Sequence, residues 1–217
     1  TVKSSDDGLN AKDWTLESSD EQGPGQQTKK VKSEAANAKN LDQAGDVKIV
    51  IDGGTLTVDA EGDGLDANGS IEINGGTIVV NGPTSGANAA LDYDDNGTLN
   101  GGTVLFVDNG QMTMGFGSDS NQAYLMASIQ GTAGTTVEVV DSSGKTVASL
   151  KASKSFSTVL ISSQDIKEGE KYTIKVGSNT TTATASKQAV NVGGGPGQGG
   201  PGGGQPGQGG PGGRQGR

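Results

Sequence analysis

Acidic and amide side chains recur at fixed positions in the first half of the chain. The recurring residues fall at three positions: Asp7 with Asp63; Asn10 with Asp66 and Asp92; and Asn68 with Asp94. Neighbouring strands of a sheet lie ~4.8 Å apart, so carboxylates stacked at this spacing would repel one another without a cation between them. Ca²⁺ accepts about six to eight oxygen ligands in irregular geometry, whereas Mg²⁺ requires a near-ideal octahedron. The pattern predicts bound Ca²⁺, with these metal ligands: Asp7, Asn10, Asp63, Asp66, Asp92 and Asp94.

A second interpretation of the same residues involves no ion. Asn and Asp are common at the corners between short strands, where their side chains hydrogen-bond to nearby backbone groups. Both interpretations require elements that hold the three positions in register.

A repeat in the sequence indicates which strands hold these positions in register. Three strand–Gly-Gly–strand segments are centred on Gly53, Gly75 and Gly101, and their spacings are 22 and 26 residues. A second motif, built around Leu65 and Leu91, keeps the same 26-residue spacing. Short strands at such a period cannot bury an apolar face alone, so they must stack on one another.

The repeat predicts an all-β fold, a right-handed parallel β-helix. Its expected inward-facing rows are Ile51/Ile73/Leu99, Leu56/Ile78/Val104, Val58/Val80/Phe106 and Leu9/Leu65/Leu91. The Gly-Gly pairs would supply the positive φ angles that tight corners need. An antiparallel sandwich with glycine turns is the alternative, although it does not explain why two separate motifs share one register.

The rest of the chain divides by composition. Residues 1–134 form the repeat region, interrupted at 14–46 by a charged, aperiodic insertion that we expect to be flexible. Residues 135–186 alternate in hydropathy and predict a small antiparallel β cap, which would cover the last repeat. Residues 187–217 predict a disordered linker or tail, because 15 of the 39 glycines lie between 193 and 217.

Composition excludes several function classes. The 217 residues include no Cys and no His, which excludes disulfides, the usual zinc sites and His-dependent nucleophiles. The net charge of −9 argues against a nucleic-acid partner, whose phosphates require Lys and Arg. No segment approaches the ~20 apolar residues that span a bilayer, so we expect no membrane span.

Aromatic side chains are the usual platforms for sugar rings. The candidates are Trp14, Tyr93, Phe106, Phe116 and Tyr124. We expect Tyr93, which follows the acidic positions directly, and then Trp14 to bind carbohydrate, whereas Phe106 matches two core positions. Two alternatives remain: an anionic glycan bridged through Ca²⁺ without stacking, or a purely structural role for Tyr93 and Trp14 at the edges of the core.

Catalysis is not expected. A polysaccharide lyase on this fold needs a Lys or Arg base beside calcium-held carboxylates. Lys12 and Lys48 are the basic side chains near the repeats, and the first Arg is Arg214. A lone Lys on an exposed strand usually serves solubility, so we predict that the protein is not an enzyme.

Several segments together resemble a known family. They are 58–71 (VDAEGDGLDANGSI), Asn74–Thr77, Val80–Thr84, Ala90–Asp94, Asp141–Gly144, Ser155–Phe156 and Ser162–Ser163. The chain is similar over about residues 1–186 to the bacterial carbohydrate-binding parallel β-helix family first recognised in cellulolytic clostridia. The resemblance implies a pectate-lyase-like solenoid that binds plant polysaccharide and calcium without turnover. Since family members have several Ser-Asp-Asp-Gly turns and this chain has only Ser5–Gly8, it also implies the C-terminal portion of a longer domain.

We therefore expect non-catalytic, calcium-dependent binding of a plant cell-wall polysaccharide of pectin or cellulose type, by a secreted protein located extracellularly or at the cell surface. The alternative is a structural, adhesin-type solenoid that acts as a spacer or assembles with further copies through its open first turn.

Overall fold

The regular structure of the chain is β throughout. The computed structural model describes residues 1–11 and 47–188, which contain strands and no helix, so the all-β prediction is confirmed for this part of the chain. The strands are β1 (Val2–Ser4), β2 (Leu9–Ala11), β3 (Lys48–Ile51), β4 (Thr55–Ala60), β5 (Leu65–Ala67), β6 (Ser70–Ile73), β7 (Thr77–Asn81), β8 (Leu91–Tyr93), β9 (Gly97–Leu99), β10 (Thr103–Asp108), β11 (Leu125–Gly131), β12 (Thr136–Val140), β13 (Thr146–Lys151), β14 (Phe156–Ser162), β15 (Lys171–Val176) and β16 (Asn179–Thr184). The predicted insertion at 14–46 and nearly all of the predicted tail, from residue 189, lie outside the described residues.

The strands form four sheets. Sheet A has the order β1-β4-β7-β10-β14-β11, sheet B β2-β5-β8, sheet C β3-β6-β9 and sheet D β13-β12-β15-β16. From β1 to β10 the chain visits sheets A, B and C in rotation, and the pairings among these ten strands are parallel. Sheet A is mixed, because β14 pairs antiparallel with both β10 and β11.

The predicted apolar rows are confirmed residue by residue. In sheet B, Leu65 pairs with Leu9 on one side and Leu91 on the other. The corresponding pairs of sheets A and C are Leu56 with Ile78, Ile78 with Val104, Val58 with Val80, Val80 with Phe106, Ile51 with Ile73, and Ile73 with Leu99. Their side chains form one core cluster. Within it the row residues between Val58 and Phe106 are almost fully buried, whereas Leu9, Ile51 and Leu56 are partly buried.

Glycine is required at the corner between sheets C and A. Gly76 and Gly102 both have a φ of +98°, which side chains rarely adopt. A Cβ on Gly76 would lie 2.8 Å from the carbonyl oxygen of Gly54, and a Cβ on Gly102 would lie 2.8 Å from that of Gly76. The Gly-Gly pairs therefore permit both the bend and the close stacking of successive corners.

A row of side-chain amides follows the same corner. The Nδ2 of Asn74 donates to Asp52 Oδ1 at 2.9 Å, and the Nδ2 of Asn100 donates to Asn74 Oδ1 at 2.9 Å. Asn121 continues the row by donating to Asn100 Oδ1 at 2.8 Å. Each corner is thus tied to the one before it by side chains as well as by backbone.

One strand lies elsewhere than predicted. We expected 156–161 to belong to the separate antiparallel cap, but β14 is inserted in sheet A, where Val104 pairs with Ser162. The run Val159-Leu160-Ile161 is buried on both faces, as in the interior of a sheet covered on both sides. Apolar and polar residues do not alternate in this run, and that pattern is the sequence signal for a strand in the interior of a covered sheet.

Sheet D is an antiparallel sheet formed within residues 135–186. Strands β12 and β13 pair antiparallel across a turn in which the Asp141 carboxylate accepts the backbone N–H groups of Ser143 and Lys145. Strand β15 pairs antiparallel with β12 on one side and with β16 on the other. A second core cluster joins sheet D to sheet A, with Val137 and Ile174 packed among residues such as Leu105.

Candidate functional site

Sheet B aligns the central acidic position. Asn10 pairs in register with Asp66, and Asp66 pairs with Asp92, as the repeat predicted. Alternation along these strands directs Leu9, Leu65 and Leu91 into the core, so the residue that follows each Leu points away from it.

Asp7 and Asp63 lie at the corner that precedes sheet B. Each carboxylate accepts a backbone N–H from the next repeat: Asp63 N donates to Asp7 Oδ1 at 3.0 Å, and Ala89 N donates to Asp63 Oδ1 at 2.6 Å. The following Gly64 is packed so tightly against Val80 and Ala90 that a Cβ there would collide with both. The Asp-Gly pair therefore fixes the carboxylate and lets the repeats stack closely.

Three carboxylates meet at this corner. Asp7, Asp63 and Asp66 each bring one oxygen into a group whose members lie within 4.8 Å of one another, and all three are half-buried. Asn10 joins them: its Nδ2 lies 2.8 Å from Asp7 Oδ2 and 2.5 Å from Asp66 Oδ2. Four of the six predicted metal ligands are therefore adjacent.

The other two predicted ligands lie one repeat further on. Asp94 accepts a hydrogen bond from Asn68 Nδ2 at 3.3 Å, and neither Asp92 nor Asp94 belongs to the group of three carboxylates. Burial raises the pKa of Asp92 above its ordinary value, and the negative charge of Asp94 and then that of Asp7 raise it further, against a backbone hydrogen bond that lowers it. Asp92 thus lies within electrostatic reach of the three-carboxylate group.

The surroundings of Asp63 disfavour its ionised form. Burial is the main reason that the pKa of Asp63 is raised; the bond from Ala89 lowers it, and the charges of Asp92, Asp7 and Asp6 raise it again. None of the ion pairs between described residues involves Asp7 or Asp63. A divalent cation here would offset the repulsion between these carboxylates and favour the ionised form of Asp63.

The aromatic candidates differ in their surroundings. The ring of Tyr93 packs on Gly97, where a Cβ would collide with it, and its hydroxyl donates to the carbonyl of Gly115 at 2.6 Å. Burial, and then the charge of Asp92, raise the pKa of Tyr93. One part of this ring is therefore already occupied by the protein, and Trp14 lies outside the described residues.

The remaining aromatic rings belong to the core. Phe106, Phe116 and Tyr124 are almost fully buried and meet in edge-to-face contacts, with centroids 5.8 and 5.9 Å apart. This confirms the core position predicted for Phe106 and removes Phe116 and Tyr124 as platforms for a sugar.

A polar cleft was missed by sequence reasoning. It has a volume of about 450 Å³ and lies between the corner glycines of sheets C and A and the segment after β14. Its lining residues are Asn74, Gly75, Gly76, Gly102, Thr103, Val147, Ser163, Gln164 and Asp165. The repeated Asn-Gly-Gly-Thr motif marks the floor of the cleft, but nothing in the repeat indicates that residues 163–165 form its wall.

Comparison of the chain with family models, curated proteins and solved structures returned no match. The part of the chain that the structure describes holds no helix long and apolar enough to cross a membrane.

Proposed function

We propose that strands β1 to β10 are the successive turns of a right-handed parallel β-helix. The rotation of the chain through sheets A, B and C supports this architecture, since each turn contributes one strand to each sheet. The in-register rows of identical or similar residues, including Leu9/Leu65/Leu91, are the pattern that stacked turns require.

On this scaffold the protein binds an extracellular plant cell-wall polysaccharide, of pectin or cellulose type, through Ca²⁺ and without catalysis. The observation that carries the proposal is the approach of Asp7, Asp63 and Asp66 to within 4.8 Å, beside Asn10. Carboxylate and amide oxygens without Cys or His form the donor set that Ca²⁺ prefers.

The proposed ion requires one local change. Asn10 directs Nδ2, a donor, at both Asp7 and Asp66. Rotation of its amide by half a turn would direct Oδ1 to the same place, and the four side chains would then supply four oxygens. Ca²⁺ takes about six to eight, so about two to four positions would be left for water and for glycan carboxylates or hydroxyls.

Calorimetry with Ca²⁺ and affinity electrophoresis in pectate and cellulose gels test this function. We expect a calcium heat and a chelator-sensitive retardation, both of which weaken in Asp66→Ala and Asp63→Asn. Asp119→Asn is the matched control, because Asp119 is an exposed acid outside the group. Absence of a calcium heat, or equal retardation with and without chelator, would contradict calcium-dependent binding.

The structural alternative is favoured by one observation. Strands β1, β2 and β3 are edge strands of sheets A, B and C, and Val2, Leu9 and Ile49 are more exposed than their partners in the next turn. A second copy stacked on these edges would pair the backbone groups and cover the apolar side chains. Light scattering at increasing concentration distinguishes the two functions: growing particles support assembly, and a strict monomer argues against it.

A further inference from the structure

The polar cleft beside the corner glycines lies apart from the acidic group. The acidic residues occupy the corner between sheets A and B, whereas Asn74 and Gly76 lie between β6 of sheet C and β7 of sheet A. The volume of about 450 Å³ falls within the range of small-molecule sites and exceeds that of one sugar ring.

The floor of the cleft is made largely of backbone. Gly75, Gly76 and Gly102 have no side chains to fill the space, and their positions are fixed by the stacked corners, since Thr103 N donates to Gly76 O at 2.8 Å. Asn74 borders this floor. Among the described residues its amide is engaged in the amide row by one N–H and by its oxygen, and the second N–H can bond to a ligand.

The wall that faces this floor offers polar side chains with remaining hydrogen-bonding capacity. Gln164 and Asp165 are exposed, and the Gln164 amide makes no hydrogen bond within the described residues. Ser163 is buried and donates to the carbonyl of Val147 at 2.8 Å, so its hydroxyl keeps acceptor capacity. Val147 adds a small apolar surface. The wall therefore combines donors and acceptors suited to hydroxyl groups with one patch suited to C–H groups.

The floor and the wall are held at a fixed distance. The Nε2 of Gln122 donates to Gly102 O in the floor at 2.9 Å and to Ser162 Oγ, next to the wall, at 2.7 Å. The β10–β14 pairing runs between the same two regions. The cleft is consequently formed before any ligand arrives, which lowers the entropic cost of binding.

The charged groups of the cleft do not favour an ionic ligand. Asp165 is its one charged lining residue, and Lys145 lies 3.5 Å from it in an exposed ion pair. The lining thus carries no uncompensated charge, in contrast to the acidic corner. The described lining residues include no cation for an anionic sugar, and the nearby Lys145 already faces a carboxylate, whereas neutral hydroxyls match the amide, hydroxyl and carboxylate groups.

We propose that this cleft is a subsite for neutral sugar residues, and that it binds them without Ca²⁺. The proposal rests on the proposed function in so far as the ligand is a glycan. The protein would then have two glycan sites: the acidic group, which binds acidic sugars through a cation, and the cleft, which binds neutral sugars.

NMR titration of the ¹⁵N-labelled full chain with cellohexaose, in the presence of EDTA, tests the subsite. We expect chemical-shift changes at Gly75, Gly76, Gly102 and the Gln164 side chain, and weaker changes with trigalacturonate. Gln164→Ala or Asp165→Ala should weaken cellohexaose binding about three- to tenfold, the loss expected for one hydrogen bond. Gln130→Ala, at an exposed position on β11 outside the cleft, is the control.

The outcomes separate this proposal from the previous one. Unchanged cleft resonances at saturating cellohexaose, or shifts confined to other surfaces, would overturn the subsite whatever the calcium results. Binding that persists in EDTA and in Asp63→Asn, but falls in Gln164→Ala, supports the subsite even if pectate retardation proves insensitive to calcium.

Discussion

The Nζ of Lys154 lies 3.2 Å from Asp59 Oδ1, which joins the segment between β13 and β14 to strand β4. The same ammonium lies 2.9 Å from Glu61 Oε1 and donates to the carbonyl of Ala60 at 2.5 Å. Beside it, Ser153 N donates to Asn81 Oδ1 at 2.8 Å. A single turn thus fastens the C-terminal part of the chain to the repeats.

Replacing Lys154 with Met should loosen this connection. Met keeps much of the apolar stem but leaves two carboxylates and a carbonyl without their cation, and the Lys154 side chain is only 14% exposed. We expect a loss of about 1–3 kcal/mol in the free energy of unfolding, measured by urea denaturation. Lys145→Met is the control, because the Lys145–Asp165 pair is 65% and 60% exposed and such pairs contribute little. Equal losses in the two variants would contradict a special role for Lys154.

Three glycines of the Gly-Gly corners between sheets C and A distinguish two reasons for glycine: a positive φ angle and a lack of space for a Cβ. Gly53 has neither a positive φ nor a close neighbour, Gly54 has a φ of +83° with open space, and Gly76 has a φ of +98° with a carbonyl 2.8 Å from its missing Cβ. Substitution by Ala should therefore change stability little at Gly53, lower it by about 1–2 kcal/mol at Gly54 and lower it more at Gly76. Thermal unfolding followed by circular dichroism measures the order, and a reversal of Gly54 and Gly76 would refute it.

Asp63→Asn should stabilise the protein in EDTA and weaken its response to calcium. Without calcium the variant removes a half-buried charge, keeps an oxygen for the Ala89 N–H and offers an amide to Asp7, as Asn10 does. We expect it to unfold at a higher temperature than the wild type in EDTA. In calcium at about 100 times the dissociation constant, the wild type should gain about 2.7 kcal/mol, and the variant should gain less.

A scan of calcium concentration distinguishes this expectation from a general effect of charge. Asp119→Asn removes an equal charge outside the acidic group and should respond to calcium as the wild type does. Equal calcium responses in all three proteins would exclude the acidic group as the binding site.

The pH dependence of stability follows from the raised pKa values of Asp63 and Asp92. Burial makes the folded chain hold these two protons more tightly than the unfolded chain, in which an Asp titrates near 3.8. Their contribution is therefore favourable when they are protonated and is lost as the pH rises through the folded pKa. In EDTA, the stability advantage of Asp63→Asn over the wild type should shrink as the pH falls toward 3.8. An advantage that is constant from neutral pH to this value would contradict the raised pKa of Asp63.

Much of the strand order of the repeats could be predicted from the sequence. The Gly-Gly pairs that begin at Gly53, Gly75 and Gly101 mark the register of the repeats, and that register predicts apolar pairs such as Ile51–Ile73, Leu56–Ile78 and Val80–Phe106. The adjacency of Asp7, Asp63 and Asp66 follows from the same register, because neighbouring strands bring equivalent positions together.

The remaining features depend on contacts that have no period. The insertion of β14 into sheet A, the Lys154–Asp59 pair and the cleft wall at Gln164 all join residues from unrelated motifs. The direction in which individual side chains point could not be predicted from the sequence either. Nothing in the spacing indicates that Asn10 directs its nitrogen at two carboxylates, or that the Tyr93 ring packs on Gly97.

The position of β14 has a consequence for the order of assembly. Strand β11 precedes β14 in the chain, yet β14 is its neighbour in sheet A and separates it from β10. During synthesis on a ribosome, β11 would emerge before the strand on which it docks, and β10 would meanwhile present an unpaired edge. A nascent chain halted before Phe156 would carry that open edge into solution, where a strand from another chain could pair with it.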